Sequence, residues 1–489
     1  RPVDVALLLT GQVEWSALVE ARPEPGALRI GDAGVERGGA LREHALGALV
    51  ELLVAPEGTL VVADRACATR VVDHERNPVL VLGDARLLAG LVFVAEVDAV
   101  EEPEAIGLVR AVAPRFRAPH RDAVGAVVVA VADLGGRAAA AGGVTSMACL
   151  PTTDPVIADA AGLEFIARRA REQRGTKFYA YAAATRDLAG QDLTEYGLLA
   201  LAGAVGFTDG GKAIAGTAVM RRALSYAHQF NKLIIQHPEE PSLAKDGHMN
   251  GGETATRLGL KGIPRLAEVM MIERDLRLVE MTGARYHAAH LSTMEAVEAI
   301  RQAKARGLPV SCDTAPHYFS LTEMDVVDYR TFAKVSPPLR TDEDLGAIIA
   351  GIADGTIDAI ASDHMPEDVD SKRLPFAQAA TGVIGVETMI SIALNLYHQE
   401  HLGLSDLLAT MTVKPAQLLG LQAGQLKPGA AADFIILDPD HAWRIDAQAL
   451  HSKSKNSAFD TRPVLGRVEK TVIDGRLVYD RAGALKAVA

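Results

Sequence analysis

Gly355-Thr356-Ile357-Asp358-Ala359-Ile360 runs directly into Ala361-Ser362-Asp363-His364-Met365-Pro366. The first half is short, apolar and closed by polar residues, which is typical of a buried strand. An Asp at the C-terminal tip of a barrel strand is where a (β/α)8 enzyme carries its catalytic groups. This segment therefore predicts a TIM-type barrel with Asp363 at a catalytic centre.

Two further segments have the same layout. Leu233–Gln236 reads as a strand that ends on His237, and the run from Arg285 to Ser292 reads as a strand that ends on His290. A single histidine at a strand end is more often a hydrogen-bonded polar residue than a ligand. Three strand-tip residues of metal-ligand type, far apart in sequence, nevertheless predict one hydrolytic metal site. His287, just before His290, is interpreted as a supporting or packing residue.

Length, composition and charge limit the class of protein. A chain of 489 residues with 49% hydrophobic residues can form one large catalytic domain and a smaller one. No apolar run reaches the roughly 18 residues of a membrane span, and a net charge of −12 argues against a nucleic-acid surface. Three widely spaced cysteines suit a reducing compartment, so we predict a cytoplasmic protein without membrane or nucleic-acid partners.

Strand and helix patterns divide the chain into three regions. Apolar runs alternate with amphipathic stretches over residues 136–421, which predicts a parallel α/β barrel. Residues 422–489 instead contain β-strand patterns, with Asp474-Gly475 as a hairpin turn. Residues 1–135 are atypical: the first Met is Met147 and the first Lys is Lys177.

Several motifs follow one another in order along the chain. They are Ala141-Gly142-Gly143-Val144-Thr145-Ser146, Leu150-Pro151-Thr152-Thr153-Asp154-Pro155, Phe207-Thr208-Asp209-Gly210, the two histidine tips, Pro337-Pro338-Leu339-Arg340, Ser362-Asp363-His364-Met365-Pro366 and Gly382-Val383-Ile384-Gly385-Val386-Glu387-Thr388. Together they resemble the dihydroorotases of the amidohydrolase superfamily, in the branch shared with hydantoinases and allantoinases. The resemblance implies a (β/α)8 barrel and a small β-sandwich built from both chain termini.

The resemblance also implies an activity, the reversible hydrolysis of the cyclic amide of dihydroorotate to N-carbamoyl-aspartate in pyrimidine synthesis. This reaction needs a hydroxide, a Lewis acid at the carbonyl and a group that carries a proton to the leaving nitrogen. Zinc supplies the first two, because it lowers the pKa of bound water to roughly 7. A carboxylate beside the metal supplies the third.

Ligand roles carry over from the family position by position. The resemblance assigns His237 and His290 to the more exposed metal, and Asp363 to the buried metal and to proton transfer. The family bridges its two metals with an Asp or a carboxylated Lys, and that position is Gly210 here. One or two zinc ions are therefore expected, with at most one if no other residue supplies the bridge.

The substrate-binding positions of the family are altered. Thr152 and Ser336 stand where the family has Asn, and Glu367 stands where it has His. A carboxylate at residue 367 would repel a substrate carboxylate unless it were protonated. His317 is a further candidate for substrate contact, and all four are predicted to line the substrate site.

The N-terminal region lacks the family's first ligand motif. The family places a His-x-His-x-x-Arg sequence before Ala141, but no His-x-His occurs in this chain, and the nearest candidate is Ala118-Pro119-His120-Arg121. Two interpretations stay open. Residues 1–135 are either truly diverged or an out-of-frame translation of the coding sequence.

Three hypotheses about function follow. The first is an active zinc dihydroorotase that acts on a small cyclic amide as a homo-oligomer. The second is a catalytically inactive relative that serves as a scaffold for aspartate carbamoyltransferase, which Gly210, Thr152, Ser336 and Glu367 favour. The third is a hydantoinase or dihydropyrimidinase, which is disfavoured because that group uses a bridging Lys and residue 210 is Gly.

Overall fold

The computed structural model describes residues 135–483 and, before them, only the six strands of an N-terminal unit. The chain forms two compact units, Arg1–Asp122 and Ala123–Ala489. The candidate for the first barrel strand, Ala118–Arg121, lies outside the described residues.

The first unit contains two antiparallel three-stranded sheets. One has the strand order β2-β1-β6 and the other the order β3-β4-β5. The strands are β1 (Asp4–Leu9), β2 (Ser16–Glu20), β3 (Ala27–Arg29), β4 (Val50–Val54), β5 (Leu60–Asp64) and β6 (Leu91–Ala95).

Parallel strands in sequence order form the centre of the second unit. One parallel pair is β7-β8, and a six-stranded parallel sheet has the order β9-β10-β11-β14-β15-β16. These strands are β7 (Ser146–Cys149), β8 (Lys177–Ala180), β9 (Ala182–Ala183), β10 (Gly206–Thr208), β11 (Leu233–Gln236), β14 (Tyr286–Ala288), β15 (Val310–Thr314) and β16 (Ala359–Ile360). Sequential parallel strands joined by helices form the barrel that the sequence predicted.

Helices follow the strands along the chain. They are α1 (Gly136–Ala141), α2 (Ala160–Gln173), α3 (Tyr196–Leu201), α4 (Thr217–Gln229), α5 (Pro241–Ala244), α6 (Glu253–Leu258), α7 (Leu266–Thr282), α8 (Met294–Ala305), α9 (Asp342–Ala353), α10 (Val369–Lys372), α11 (Met389–His398), α12 (Leu404–Ala409) and α13 (Val413–Leu419). A small parallel pair, β12 (Met249–Asn250) and β13 (Gly262–Ile263), lies between α5 and α7.

Local sequence explains where these helices begin and end. The side chain of Thr341 caps α9 and forms a capping box with Asp344, and Thr293 caps α8 through the backbone N–H of Ala296. Gly283 ends α7 in the left-handed conformation, which glycine adopts without a steric penalty. These signals bring the chain back to the next strand at a defined point.

The core between strands and helices is made of small aliphatic and stacked aromatic side chains. Tyr196 and Phe207 stack with ring centres 4.0 Å apart, and Tyr226 stacks on the other side of Tyr196 at 4.8 Å. The Tyr196 hydroxyl donates to the carbonyl of Ala184 at 3.0 Å, so its buried polar end is satisfied. This packing holds β10 against α3 and α4.

The C-terminal residues form an antiparallel sheet of β17 (Phe434–Arg444), β18 (Pro463–Ile473) and β19 (Arg476–Asp480). Asp474 and Gly475 join β18 to β19 with φ of 48° and 73°. Positive φ at both loop residues is the requirement of a type I′ hairpin, so the predicted turn is present. Among the described residues, no helix has the length and apolar character needed to cross a membrane.

Candidate active site

Three strand tips bring the predicted ligands together. His237 directly follows β11, His290 follows β14 and Asp363 follows β16. The rings of His237 and His290 have centres 6.2 Å apart, and Nε2 of His290 lies 3.8 Å from Oδ1 of Asp363. His290 and Asp363 have φ of 58° and 40°. Such conformations are uncommon for residues other than glycine and recur at functional sites.

Asp313, at the end of β15, is a residue of this site that the sequence analysis missed. Its Oδ1 accepts the backbone N–H of His290 at 2.7 Å and lies 3.2 Å from Nδ1 of the same residue. Its Oδ2 lies 2.9 Å from Nε2 of His287, whose Nδ1 lies 2.8 Å from the Ser311 hydroxyl. A carboxylate behind a ligand histidine fixes the ring orientation. His287 thus has the supporting position that was predicted for it.

The pKa values of the two histidines are shifted in opposite directions. Burial lowers the pKa of His237 to about 4, and the neighbouring His290 contributes to the same shift. Burial would also lower the pKa of His290, but the carboxylates of Asp363 and Asp313 outweigh it and raise that pKa to about 9. Burial would raise the pKa of Asp363, yet His290 and His317 hold it below its ordinary value. The site therefore pairs ionised carboxylates with imidazoles.

Two buried nitrogens of the site lack a hydrogen-bond partner. They are Nδ1 of His237 and Nε2 of His317, whereas Nδ1 of His290 faces Oδ1 of Asp313 at 3.2 Å. His317 is fully buried, and its Nε2 lies 3.4 Å from Oδ2 of Asp363 but outside hydrogen-bond geometry. Buried polar atoms are normally satisfied, so two unpartnered imidazole nitrogens at one site indicate a missing ligand. A divalent metal bound by imidazole and carboxylate fits this set of donors.

The donor atoms of His237, His290 and Asp363 lie near one another, but they are farther apart than the ligands of a bound metal would be. In the part of the chain that the structure describes, the group with all donor atoms within 4.8 Å of one another is Asp438, His441 and Glu469 on the C-terminal sheet. Glu469 already pairs with Arg481 at 2.8 Å, so this group is a surface ion-pair cluster. Metal binding by His237, His290 and Asp363 requires these side chains to move closer together.

The bridging position contains no carboxylate. Gly210 has φ of 66°, and a Cβ added there would lie 2.4 Å from Cγ2 of Thr152. Asp209 is buried and accepts from the backbone N–H of Thr185 at 2.8 Å and from its hydroxyl at 2.5 Å. Burial raises the pKa of Asp209 despite these hydrogen bonds. Asp209 therefore holds the loop after β9, as a capping residue would, while Lys212 is exposed.

The four predicted substrate-binding residues have different surroundings. The Ser336 hydroxyl lies 3.2 Å from Nε2 of His237, at the site itself. His317 contacts Asp363, as described above. Thr152 is exposed and lies against Gly210. Glu367 accepts from the Ser371 hydroxyl at 3.4 Å, so its carboxylate faces the short helix α10. His364, next to Asp363, accepts from the backbone N–H of Gly385 at 3.2 Å.

Comparisons with known proteins assign the chain to a family. A family model described as dihydro-orotase-like matches residues 116–296, and a model of the amidohydrolase family matches residues 267–479. A dihydroorotase of Geotalea daltonii is 46% identical over 71% of this chain and 82% of its own length. The chain belongs to the dihydroorotase family. A dihydroorotase of Syntrophotalea carbinolica is 47% identical over 71% of this chain and 81% of its own length, and one of Ehrlichia canis is 42% identical over 71% and 77%.

Solved structures support the same fold. An L-hydantoinase (dihydropyrimidinase) from Arthrobacter aurescens superposes with a TM-score of 0.65 and 28% identity, covering 72% of this chain and 81% of that chain. A dihydropyrimidinase from Brevibacillus agri gives a TM-score of 0.61 at 20% identity, covering 71% and 79%. The predicted family, the barrel fold and the hydrolase class are confirmed. Members of this dihydroorotase and amidohydrolase family are generally metal-dependent.

Proposed function

We propose that the protein is a zinc-dependent dihydroorotase with a single-metal site, acting on the cyclic amide of dihydroorotate. The observation that carries the proposal is the cluster of His237, His290 and Asp363 at the tips of β11, β14 and β16, together with the unpartnered nitrogens of His237 and His317. The relatives named dihydroorotase support this substrate over a hydantoin, because they are 42–47% identical to the chain whereas the hydantoinase structures are 20–28% identical.

Each residue has a defined part in the reaction. His237 and His290 would hold the zinc, and Asp313 keeps the His290 ring in place. Zinc bound there supplies a hydroxide near neutral pH and polarises the carbonyl. Asp363 takes the proton of the attacking water and returns it to the ring nitrogen as the C–N bond breaks. Ser336, beside His237, is positioned to contact the substrate.

The metal count follows from the bridging position. Two metals need a carboxylate between them, but residue 210 is Gly and Thr152 occupies the space that its side chain would need. We therefore expect at most one tightly held zinc per chain, measured by elemental analysis after dialysis. His237→Ala should abolish its retention, while the exposed His228→Ala should not. Two stoichiometric zincs would contradict the single-metal site.

The activity test uses both directions of the reaction. Dihydroorotate hydrolysis at pH 8 and cyclisation of N-carbamoyl-aspartate at pH 6 should both occur and be abolished by Asp363→Ala. Asp342→Ala, which removes an exposed carboxylate in the first turn of α9, is the matched control. Without a bridging carboxylate, turnover should be slower by a factor on the order of 10²–10³ than in a two-metal enzyme. Turnover that survives Asp363→Ala would refute the proposed role.

A second candidate function is the scaffold. The glycine at residue 210 favours it, because the family's bridging carboxylate is missing there. If the folded protein binds zinc, co-purifies with aspartate carbamoyltransferase and turns over neither substrate, the result would favour the scaffold over the enzyme. Turnover sensitive to Asp363→Ala would eliminate it.

We also infer that two copies of the chain associate through the outer face of α7. Leu266, Met270 and Met281 lie on this face, and each side chain is more than half exposed. Glu273 and Arg277 stand between them, one turn apart and both exposed. In an antiparallel pair, each Glu273 would lie opposite the Arg277 of the other copy, so the face is complementary to itself.

The predicted cytoplasmic location stays a prediction.

A further inference from the structure

The loop that follows Asp363 is closed at its base and carries a candidate substrate residue. His364 forms a parallel bridge with Val383, and the backbone N–H of Met365 donates to the carbonyl of Val383 at 2.8 Å. The intervening segment contains Glu367 and α10, with little regular structure otherwise. Side-chain contacts, rather than regular backbone pairing, must therefore hold its conformation.

Two buried lysines supply those contacts. Lys372, within the loop, is fully buried, and Lys334, which precedes it in the chain, is 6% exposed. Their Nζ atoms donate to backbone carbonyls at 2.7–3.4 Å. Lys334 donates to the carbonyls of Phe376, Ala377 and Ala379, and Lys372 donates to those of Lys334, Ala380 and Gly382.

Lysine is almost never fully buried without compensation. Neither of these two side chains makes an ion pair with a carboxylate within 4.0 Å among the described residues, so carbonyl oxygens provide the compensation. Each carbonyl would lose its partner if the donor were removed, which is costly for buried acceptors. The carbonyl of Lys334 also accepts the backbone N–H of Gly382 at 3.0 Å. The two lysines thus connect residues 376–382 of the loop to residue 334.

The attachment point adjoins the candidate site. Lys334 precedes Ser336 by two residues, and the hydroxyl of Ser336 lies 3.2 Å from Nε2 of His237. The loop itself starts at Met365, two residues after Asp363. The lysines therefore connect the segment that carries Ser336 with the loop that carries Glu367.

We propose that Lys334 and Lys372 form a clamp that positions the loop of residues 365–383 beside the metal site and so determines how tightly substrate binds. The inference rests on the proposed function for its substrate, but the clamp itself is defined by contacts among the residues of this chain. The two lysines are positioning residues, because they act through the loop and touch none of the candidate ligands.

The test replaces each donor by an apolar side chain of similar length. Lys372→Met and Lys334→Met should raise the rate of subtilisin cleavage within residues 365–383 and the KM for dihydroorotate by about tenfold. Zinc content should be unchanged and kcat should change by less than about threefold. Lys304→Met is the control. Its Nζ also donates to a carbonyl, that of Thr356 at 2.8 Å, and it pairs with Asp358 at 2.6 Å, both at the opposite end of β16.

The outcomes separate the clamp from the enzyme assignment. Unchanged cleavage and KM in folded variants would overturn the clamp, and Lys372→Gln, which keeps a donor group, is the second variant if Lys372→Met does not fold. A wild-type protein without turnover would overturn the proposed function instead. Cleavage of the loop would then still decide the clamp, because that measurement needs no activity.

Discussion

The contact between Thr152 and Gly210 can be measured as a coupling free energy. Replacing Gly210 by Ala places a Cβ 2.4 Å from Cγ2 of Thr152, where ordinary contacts are longer than 3.4 Å. Overpacking costs about 1–3 kcal/mol in a core, and the lower end, about 1 kcal/mol, is expected here because Thr152 is exposed and its side chain can rotate. The φ of 66° at residue 210 adds about 1 kcal/mol for a residue with a side chain. Gly210→Ala should therefore destabilise the protein by about 2 kcal/mol.

Thr152→Ala removes the clashing methyl group but leaves the backbone conformation unchanged. In the double variant the overpacking term should vanish, and only the cost of the positive φ should remain. A double-mutant cycle in urea should give a coupling free energy of about 1 kcal/mol, with the double variant more stable than the sum of the single effects. Additive effects would refute the idea that Thr152 occupies the space of a side chain at residue 210.

The same pair predicts a gain of function. Gly210→Asp alone should lower stability without adding metal, because its side chain has no room beside Thr152. Gly210→Asp combined with Thr152→Ala supplies a carboxylate at the family's bridging position together with the space it needs. That double variant should bind more zinc per chain than wild type in elemental analysis. Equal zinc content in the single and the double variant would show that the methyl group does not control the bridging position.

Three further predictions concern Asp313, the outer face of α7 and the clamp. Asp313→Asn should lower zinc affinity by a factor of about 10–100 in competition with a chelator, since it loosens His290. Glu273→Arg and Arg277→Glu should each shift the chain towards monomer in light scattering, and the double swap should restore association. Because burial lowers the pKa of Lys372 to about 8, opening the loop takes up a proton between about pH 8 and pH 10. Subtilisin cleavage, normalised to an unstructured peptide, should thus slow across that range in wild type and less steeply in Lys372→Met, which keeps Lys334, a lysine whose pKa burial also lowers.

The strand tips were predictable because a short apolar run closed by polar residues marks the end of a buried strand. Short apolar runs that end on His237, His290 and Asp363 predict the edge at which parallel strands place their C-terminal residues. Asp313 was missed although the same argument applies to it, since an acidic residue inside a buried strand is costly without a partner. Its partner is the backbone and ring of His290, which the sequence places 23 residues away.

Contacts between segments without regular structure were not predictable. The clamp joins Lys334 to carbonyls more than 40 residues later, and neither the lysines nor the loop has a periodic pattern. The prediction that Glu367 contacts substrate came from the resemblance. In the structure its carboxylate faces Ser371 and lies close enough to Lys372 to raise the pKa of that lysine against the effect of burial.

Two of the departures from the family pattern are accommodated by neighbouring side chains. Gly210 lacks the bridging carboxylate, and Thr152, another altered position, packs into the space left beside it. Glu367 would repel an anionic substrate if it faced the site, but its carboxylate accepts from Ser371 instead. Loss of function by drift would leave altered positions that are unrelated to one another, with cavities or unpaired charges. Complementary changes instead favour a site that has been reshaped around His237, His290 and Asp363, which is why the single-metal enzyme is proposed ahead of the scaffold.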